Sequence, residues 1–378
     1  MKIGITCYPT YGGSGAMATE LGMELATKGH EVHFISYAQP FRLDRFQEGV
    51  FFHEVEMEPY PLFEHPPYSL ALAVATCETA RTHDLDLMHV HYAIPHATSA
   101  WIAREMLQGE RDLPVITTLH GTDITLVGQH PSFRDIIRFS ILRSQGLTAV
   151  SQYLKDETVR GFGVPANDIQ VIPNFVNTDV YQREGVPCHR SMLAPGGEKI
   201  VIHVSNFRGV KRVPDVVRIF AGIRERTPAR LVLVGDGPDR VRAAEVVEEL
   251  GLSDSVLFLG KVGVVNELLA CADLFLLPSA SESFGLAALE AMACGVPVVA
   301  SRVGGLPEVL DHGDTGFLLP PDDLDGMAEA GAGLLQNESE WARFSARARS
   351  VAQERFSVDR VVPMYEAYYR TVLTGSAA

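Results

Sequence analysis

The chain of 378 residues carries 32 basic and 47 acidic side chains, a formal charge of −15, with 46% hydrophobic and 21% charged residues. One hydrophobic core rarely serves that length, so two domains of comparable size with a cleft between them are expected. The composition excludes a disordered or fibrous chain, and the acidic balance excludes a general footprint for nucleic acid or an anionic membrane, so an anionic substrate must meet a local positive site.

Five cysteines, Cys7, Cys77, Cys188, Cys271 and Cys294, form no C-x-x-C pair. Their odd number and scatter argue against a disulfide framework or a structural zinc site, and reduced, mostly buried thiols are expected. Met1 to Thr6 already reads as a strand rather than a leader, and no apolar run reaches the ~18 residues of a membrane span. The expected location is the cytoplasm, with small-molecule substrates, no nucleic-acid or membrane partner, and a homo-oligomer left open.

In chain order, short apolar runs at 2–7, 31–36, 87–91, 114–119 and 147–150 alternate with helical stretches such as 16–28. That rhythm predicts a parallel, doubly wound sheet whose ligands bind beyond the carboxyl ends of its strands. After the first run, Tyr8 to Gly15 leads into a helix, so amides around Gly13, Ser14 and Gly15 can meet a phosphate or carboxylate. Gly13 to Ala18 also fits the dinucleotide pattern G-x-G-x-x-A, but the acidic ribose ligand expected about 20 residues on is missing, which disfavours nicotinamide binding.

Histidines gather at two further strand ends: His89, His91 and His96, then His120. Metal ligation by them lacks a third ligand at recognisable spacing. The alternative is that Tyr92, Thr118 and His120 supply hydrogen bonds at the cleft while the others are satisfied in the core. Val171 to Asp179 carries Pro and Asn in a linker-like pattern, and 180–198 is polar and irregular. The expected division is an amino-terminal domain over 1–172, a linker over 173–198 and a carboxy-terminal domain over 199–357. The aromatic stripe of 358–378 should dock back on the first domain.

The second half repeats the rhythm at 199–204, 230–234, 256–259, 273–277 and 296–300, with amphipathic stretches at 214–224 and 240–250. Ser205 to Arg212 concentrates Arg208, Lys211 and Arg212 at a strand end, a pattern suited to a diphosphate and equally open to a solvated basic turn. Gly235 to Arg240 reads as a turn, and Val262 stands where main-chain groups can read a planar base. The densest segment is Glu282-Ser-Phe-Gly-Leu-Ala-Ala-Leu-Glu290. If the intervening residues are helical, the two carboxylates stand roughly 12 Å apart. That exceeds the about 5 to 9.5 Å of a glycosidase pair and fits two ends of one long ligand. The amides of Ser283, Phe284 and Gly285 are then expected to open the helix.

Lys211, Gly235-Asp-Gly-Pro238, Glu282-Ser-Phe-Gly285 and Glu290-Ala-Met-Ala-Cys-Gly-Val-Pro297 together resemble the retaining glycosyltransferases of family 4, of the GT-B fold. The amino-terminal half is similar to the N-acetylglucosaminyl malate synthases of bacillithiol biosynthesis, through Lys2 to Pro9, Gly12 to Gly22, Pro40 to Leu43, His53 to Glu56, Pro66 to Tyr68 and His89 to Ala97. The resemblance implies two Rossmann-like domains facing a cleft. It further implies transfer of N-acetylglucosamine from UDP-GlcNAc to the hydroxyl of L-malate with α configuration retained.

By the same resemblance, Glu282 contacts sugar hydroxyls, Glu290 the ribose and Lys211 the diphosphate. Asn206 stands where relatives carry arginine, and Arg208 or Arg212 is the candidate replacement cation. His120, Lys211 and Glu282 are the expected catalytic residues. Donor binding falls to Gly15, Asn206, Arg208, Arg212, Val262, Ser283, Phe284, Gly285 and Glu290; acceptor binding falls to Gly13, Ser14, Tyr92, Thr118, His120 and Arg143. No metal or other cofactor is expected, because fixed cations replace it. Front-face attack, in which the leaving phosphate takes the acceptor's proton, is the expected route. The alternatives are another small anionic acceptor, such as an inositol phosphate, and a silent nucleotide-sugar-binding protein.

Overall fold

The computed structural model describes residues 1–43, 46–57 and 65–375. Two compact units account for them: Met1–Pro173 with the carboxy-terminal residues from Val361, and Asn174–Arg360. Among the described residues no helix is long and apolar enough to cross a membrane.

In the first unit, seven described strands run β1 (Lys2–Thr6), β2 (Glu31–Ser36), β3 (Val50–Glu54), β4 (Leu87–His91), β5 (Val115–Leu119), β6 (Gly146–Ala149) and β7 (Ile169–Val171). They pair in parallel in the order β3-β2-β1-β4-β5-β6-β7. Parallel pairing forces each connection back across a face, which is why the central strands read as unbroken apolar runs and β1, β4 and β5 are almost wholly buried. Leu72, Cys77 and Ala80 of the helix Tyr68–His83 pack on Ile35, Met88, Val90 and Val115 of the sheet.

The second unit has β8 (Lys199–Val204), β9 (Ala229–Val234), β10 (Val256–Gly260), β11 (Leu274–Leu277), β12 (Val298–Ser301) and β13 (Gly316–Leu319), in the order β10-β9-β8-β11-β12-β13 and again parallel. Its core joins Val213, Val217 and Phe220 of the helix Val213–Arg224 to Val201, Leu231, Leu276 and Phe344. Edge strands β3, β7 and β13 were not expected. Each is short, and β3 is half-exposed, so none shows the continuous apolar run of a central strand.

The stretch expected as a linker belongs with the second unit from Asn174 onward. Its groups are tied down one by one: Val176 N donates to Phe356 O, Arg183 to Ala272 O, and Arg190 pairs with Asp273 at 2.7 Å. Cys188 and Cys271 form a disulfide with Cα atoms 5.4 Å apart, correcting the expectation of five reduced thiols. A sequence separation of 83 hid that pairing from any spacing rule; Cys7, Cys77 and Cys294 are buried free thiols. In the final helix, Val358–Leu373, Tyr369 Oη lies 2.7 Å from His89 Nδ1 and Tyr368 Oη accepts from Leu147 N at 2.8 Å. Of the expected docking segment, residues 376–378 lie outside the described residues.

Candidate active site

Strand order fixes where a site can form. In the second unit β8 has β9 on one side and β11 on the other, so connections leaving these neighbours diverge and open a crevice at their carboxyl ends. The loop after β8 carries Lys211, the last residue of a single 3-10 turn Gly209–Lys211, and the loop after β11 carries Glu282. The two meet: Lys211 Nζ donates to Glu282 Oε1 at 2.5 Å, and Ser279 Oγ donates to the same oxygen at 2.9 Å. Glu282 is 8% exposed, so its carboxylate is held largely out of water against a cation. Ala280 N donates to Val210 O at 2.8 Å, locking the two loops together through their backbones.

Glycines permit this proximity. Gly235 has φ 125°, and a Cβ there would sit 1.7 Å from Ser205 O; at Gly305 it would sit 2.2 Å from Ser283 O. Beneath the loops, buried His203 donates from Nδ1 to Leu276 O and therefore accepts at Nε2 from Ser205 Oγ, both at 2.8 Å. Burial pushes its pKa down to about 4, and the Lys211 charge adds to the effect, so it stays neutral.

The helix of this segment spans Leu286–Ala293, with Gly285 at φ 97° as its cap. Glu282 to Gly285 is thus a loop, so the all-helical separation of 12 Å does not apply. The free amides of the helix start are those of Gly285 to Ala288, not Ser283 and Phe284. Glu290 lies inside the helix, 5% exposed, and its Oε1 accepts from Tyr181 Oη at 2.8 Å.

Other expected donor residues separate by geometry. Arg212 is committed elsewhere, through Asp215 at 2.7 Å and Pro321 O at 2.6 Å, so it drops out as the replacement cation. Arg208 is exposed and pairs with no described residue. Asn206 keeps a buried Oδ1 without a hydrogen-bond partner among the described residues. Phe284 is buried, and half-buried Val262 sits in the loop after β10. Gly15, grouped with the donor residues, lies in the first unit and packs against the Tyr8 carbonyl, 2.5 Å from where its Cβ would be.

In the first unit the corresponding crevice opens between β1 and β4. The helix Gly13–Thr27 starts there, with the Gly13, Ser14 and Gly15 amides in its first turn. Tyr8 of the same loop meets Tyr92 edge-on at 5.4 Å and His96 at 4.7 Å. The Tyr92 ring lies 5.4 Å from His120, whose Nε2 is 2.8 Å from His91 Nδ1. His96 Nδ1 donates to His91 O at 2.5 Å. Burial drives His89 and His120 to about 3, His96 to about 4 and His91 well below its ordinary value, so all four imidazoles are neutral at pH 7.

Asp123, absent from the sequence reading, braces this end. Its carboxylate accepts from Ala93 N at 3.0 Å and Gly121 N at 3.1 Å, and burial raises its pKa to about 6 despite those bonds.

Two acceptor expectations are corrected. Thr118 is fully buried, its hydroxyl 2.6 Å from both His89 Nε2 and Thr148 Oγ1, so it serves the core. Arg143 ends the helix Pro131–Arg143, which runs back toward the amino end of β6, and stacks its guanidinium on Phe139. At the opposite, amino end of that helix stands Arg134, in its first turn, donating to Gly161 O at 2.7 Å. Strand direction, not composition, is the signal that sets Arg143 at the wrong end of its helix for the strand ends. Ser279, Tyr181 and His203 also escaped, each lying outside the motif it supports.

Comparison with known proteins agrees with this layout. A model described as Glycosyltransferase Family 4 matches residues 11–180, and one described as Glycosyl transferases group 1 matches 189–351. The chain is 49% identical over 374 residues to the N-acetyl-alpha-D-glucosaminyl L-malate synthase of Bacillus anthracis, covering 99% of this chain and 97% of that protein. It is 28% identical to the D-inositol 3-phosphate glycosyltransferase of Mycobacterium avium, over 96% of this chain and 89% of that one. Among solved structures, Anabaena HepE in complex with UDP and glucose superposes with a TM-score of 0.82 at 22% identity, covering 98% and 100%. Sucrose-phosphate synthase of Thermosynechococcus elongatus gives 0.81 at 22%, covering 99% of each, and both likenesses show the GT-B fold. With a cation–carboxylate pair at one switch point and this identity along nearly its whole length, the chain belongs to the family 4 glycosyltransferases and is a transferase enzyme.

Proposed function

We propose that the enzyme transfers N-acetylglucosamine from UDP-GlcNAc to the hydroxyl of L-malate, with retention, releasing UDP. The likeness to the Bacillus anthracis synthase across 99% of the chain carries the choice of substrates. The chemistry rests on the Lys211–Glu282–Ser279 cluster at the switch point. In this reading Glu282 accepts hydroxyl hydrogen bonds from the sugar, and Lys211 turns its ammonium to the β-phosphate as negative charge develops there. Glu290, oriented by Tyr181, accepts from the ribose hydroxyls. The Gly285 to Ala288 amides supply further donors, and Arg208 is the second cation.

On the acceptor side, malate carboxylates take the first-turn amides of Gly13 to Gly15, Ser14 and Tyr92, with Arg134 as the nearby cation. Neutral His120 both donates and accepts hydrogen bonds, and so orients the attacking hydroxyl without competing for its proton. That proton passes to the departing phosphate oxygen on the same face, and fixed donors stabilise the negative charge that builds on the diphosphate as an oxocarbenium-like sugar forms. Fixed cations make a catalytic divalent ion unnecessary in this scheme; adding Mg2+ or Mn2+ to dialysed enzyme should leave kcat unchanged, and a large activation would refute that part.

UDP release from UDP-GlcNAc, measured alone, with L-malate and with an inositol phosphate, tests the assignment. Stimulation by malate, with an α-linked product by NMR, is expected. Stimulation by inositol phosphate alone would transfer the assignment to that acceptor, and a β-linked product would contradict retention.

A further inference from the structure

We infer that His33, His53 and His83, which converge from β2, β3 and the end of the helix Tyr68–His83, form a binding site for a late first-row divalent cation such as Zn2+. One ring nitrogen from each lies within 4.8 Å of the other two. Three nitrogens bound to one Zn2+ at about 2.0–2.1 Å stand roughly 3.3–3.5 Å apart, so ligation needs only small shifts of the rings. The parallel register explains the convergence: His33 opposes Phe51 and Ile35 opposes His53, which puts His33, Phe51 and His53 on one face of the sheet.

The tautomer of His33 is already set for ligation. Glu31 Oε1 lies 2.9 Å from His33 Nε2, so Nε2 carries the proton and donates it. Nδ1 of His33 then holds a lone pair and accepts from His53 Nε2 at 2.9 Å, a proton the cation would displace. A carboxylate behind a histidine, fixing the ring and raising its basicity, is the usual arrangement around a bound zinc. His33 is fully buried, whereas His53 and His83 are half-exposed, leaving an entry path and a fourth position for water. Lys2 stands nearby, but Glu31 at 3.8 Å and the His83 carbonyl at 2.9 Å hold its charge. Imidazole-only donor sets favour Zn2+, Co2+, Ni2+ and Cu2+ over Mg2+ or Ca2+.

Glu31 and His33 open β2, and His83 ends a helix that leads into β4, so the ion lies toward the amino ends of the strands. Ligands of such sheets bind at the carboxyl ends. The ion therefore acts as a clasp, tying edge strand β3 to β2 and the helix, rather than as a participant in transfer.

The test uses full-length, tag-free, dialysed enzyme titrated with Co2+ and then Zn2+. One Co2+ per chain should bind with the visible d–d bands of a nitrogen-rich site, and Zn2+ should displace it. Zn2+ should also raise Tm by about 3–5 °C with kcat unchanged. The double variant His53→Ala/His83→Ala, checked for folding by circular dichroism, should lose both the spectrum and the shift. Zinc K-edge absorption on the wild type, which needs no variant, should report three imidazoles and one oxygen. Absence of saturable binding, equal binding by the folded double variant, or fewer than two imidazoles at the zinc would overturn the inference.

Discussion

The two sheets place a crevice at the same topological position, and the chain fills them in opposite ways. Between β8 and β11 stands a charged pair, Lys211 with Glu282 at 2.5 Å; near β1 and β4 stand neutral imidazoles and phenols, stacked and hydrogen-bonded. Under the proposed function, the contrast matches what each would be asked to do. Leaving-group departure builds negative charge, which a fixed cation in a dry site stabilises. Orienting a hydroxyl needs donors and acceptors with no net charge, and burial, aided by the neighbouring imidazoles, keeps the histidines in that state.

Removing the cation breaks the contrast most sharply. Lys211→Ala should lower kcat by about 10²–10³-fold, the loss typical of deleting one transition-state donor, as read by UDP release at saturating substrates. A loss below tenfold would mean that another group carries the leaving-group charge.

Acid tests the other side. In the unfolded chain the four imidazoles near β4 and β5 protonate near 6.5, whereas in the folded unit His89 and His120 resist to about 3 and His96 to about 4. Their folded pKa values are depressed, so the stability they permit is complete above about 6.5 and is lost as pH falls toward 4. Each contributes a slope of about 1.4 kcal/mol per pH unit. Asp123 works the other way, since its folded pKa of about 6 lies above 3.8 and protonation in that window favours the fold. Hydrogen exchange at pH 5 against pH 7 should show the first unit opening before the second. Equal loss of protection in both would contradict the contrast.

Glycine contacts sharpen the donor side. Gly235→Ala must push a methyl toward Ser205 O from a left-handed backbone. It should destabilise the protein by about 2–4 kcal/mol in denaturant unfolding, while Gly263→Ala, with nothing nearby, should stay within about 0.5 kcal/mol. The smallest effect belongs to Tyr181→Phe: loss of one hydrogen bond to Glu290, about 1 kcal/mol, should raise donor KM roughly fivefold with kcat retained. Glu290→Gln should raise it further, and an unchanged KM in both would remove the ribose role.

How much of this could be read in advance follows from sequence distance. Central strands and the Glu282–Glu290 segment are legible because the information is contiguous. The Lys211–Glu282 pair spans 71 residues, and Tyr181–Glu290 spans 109. The motif marked the members of the first pair, whereas Tyr181 sat in a stretch that looked like linker because its anchors, Arg349 and Ala272, are remote in sequence. Arg143 was chosen by charge without regard to which end of its helix faces the strand ends, and Thr118 without knowing that two buried partners already claim its hydroxyl. Asp123 escaped because its partners are backbone amides, which leave no mark in a sequence.

The central claim divides labour between the units, and UDP binding by calorimetry tests it directly in wild type, Lys211→Ala and His120→Asn. UDP affinity should fall at least tenfold in Lys211→Ala and stay within twofold of wild type in His120→Asn, while malate-dependent turnover collapses in both. Weakened UDP binding in His120→Asn with affinity intact in Lys211→Ala would contradict the assignment of donor and acceptor to their units.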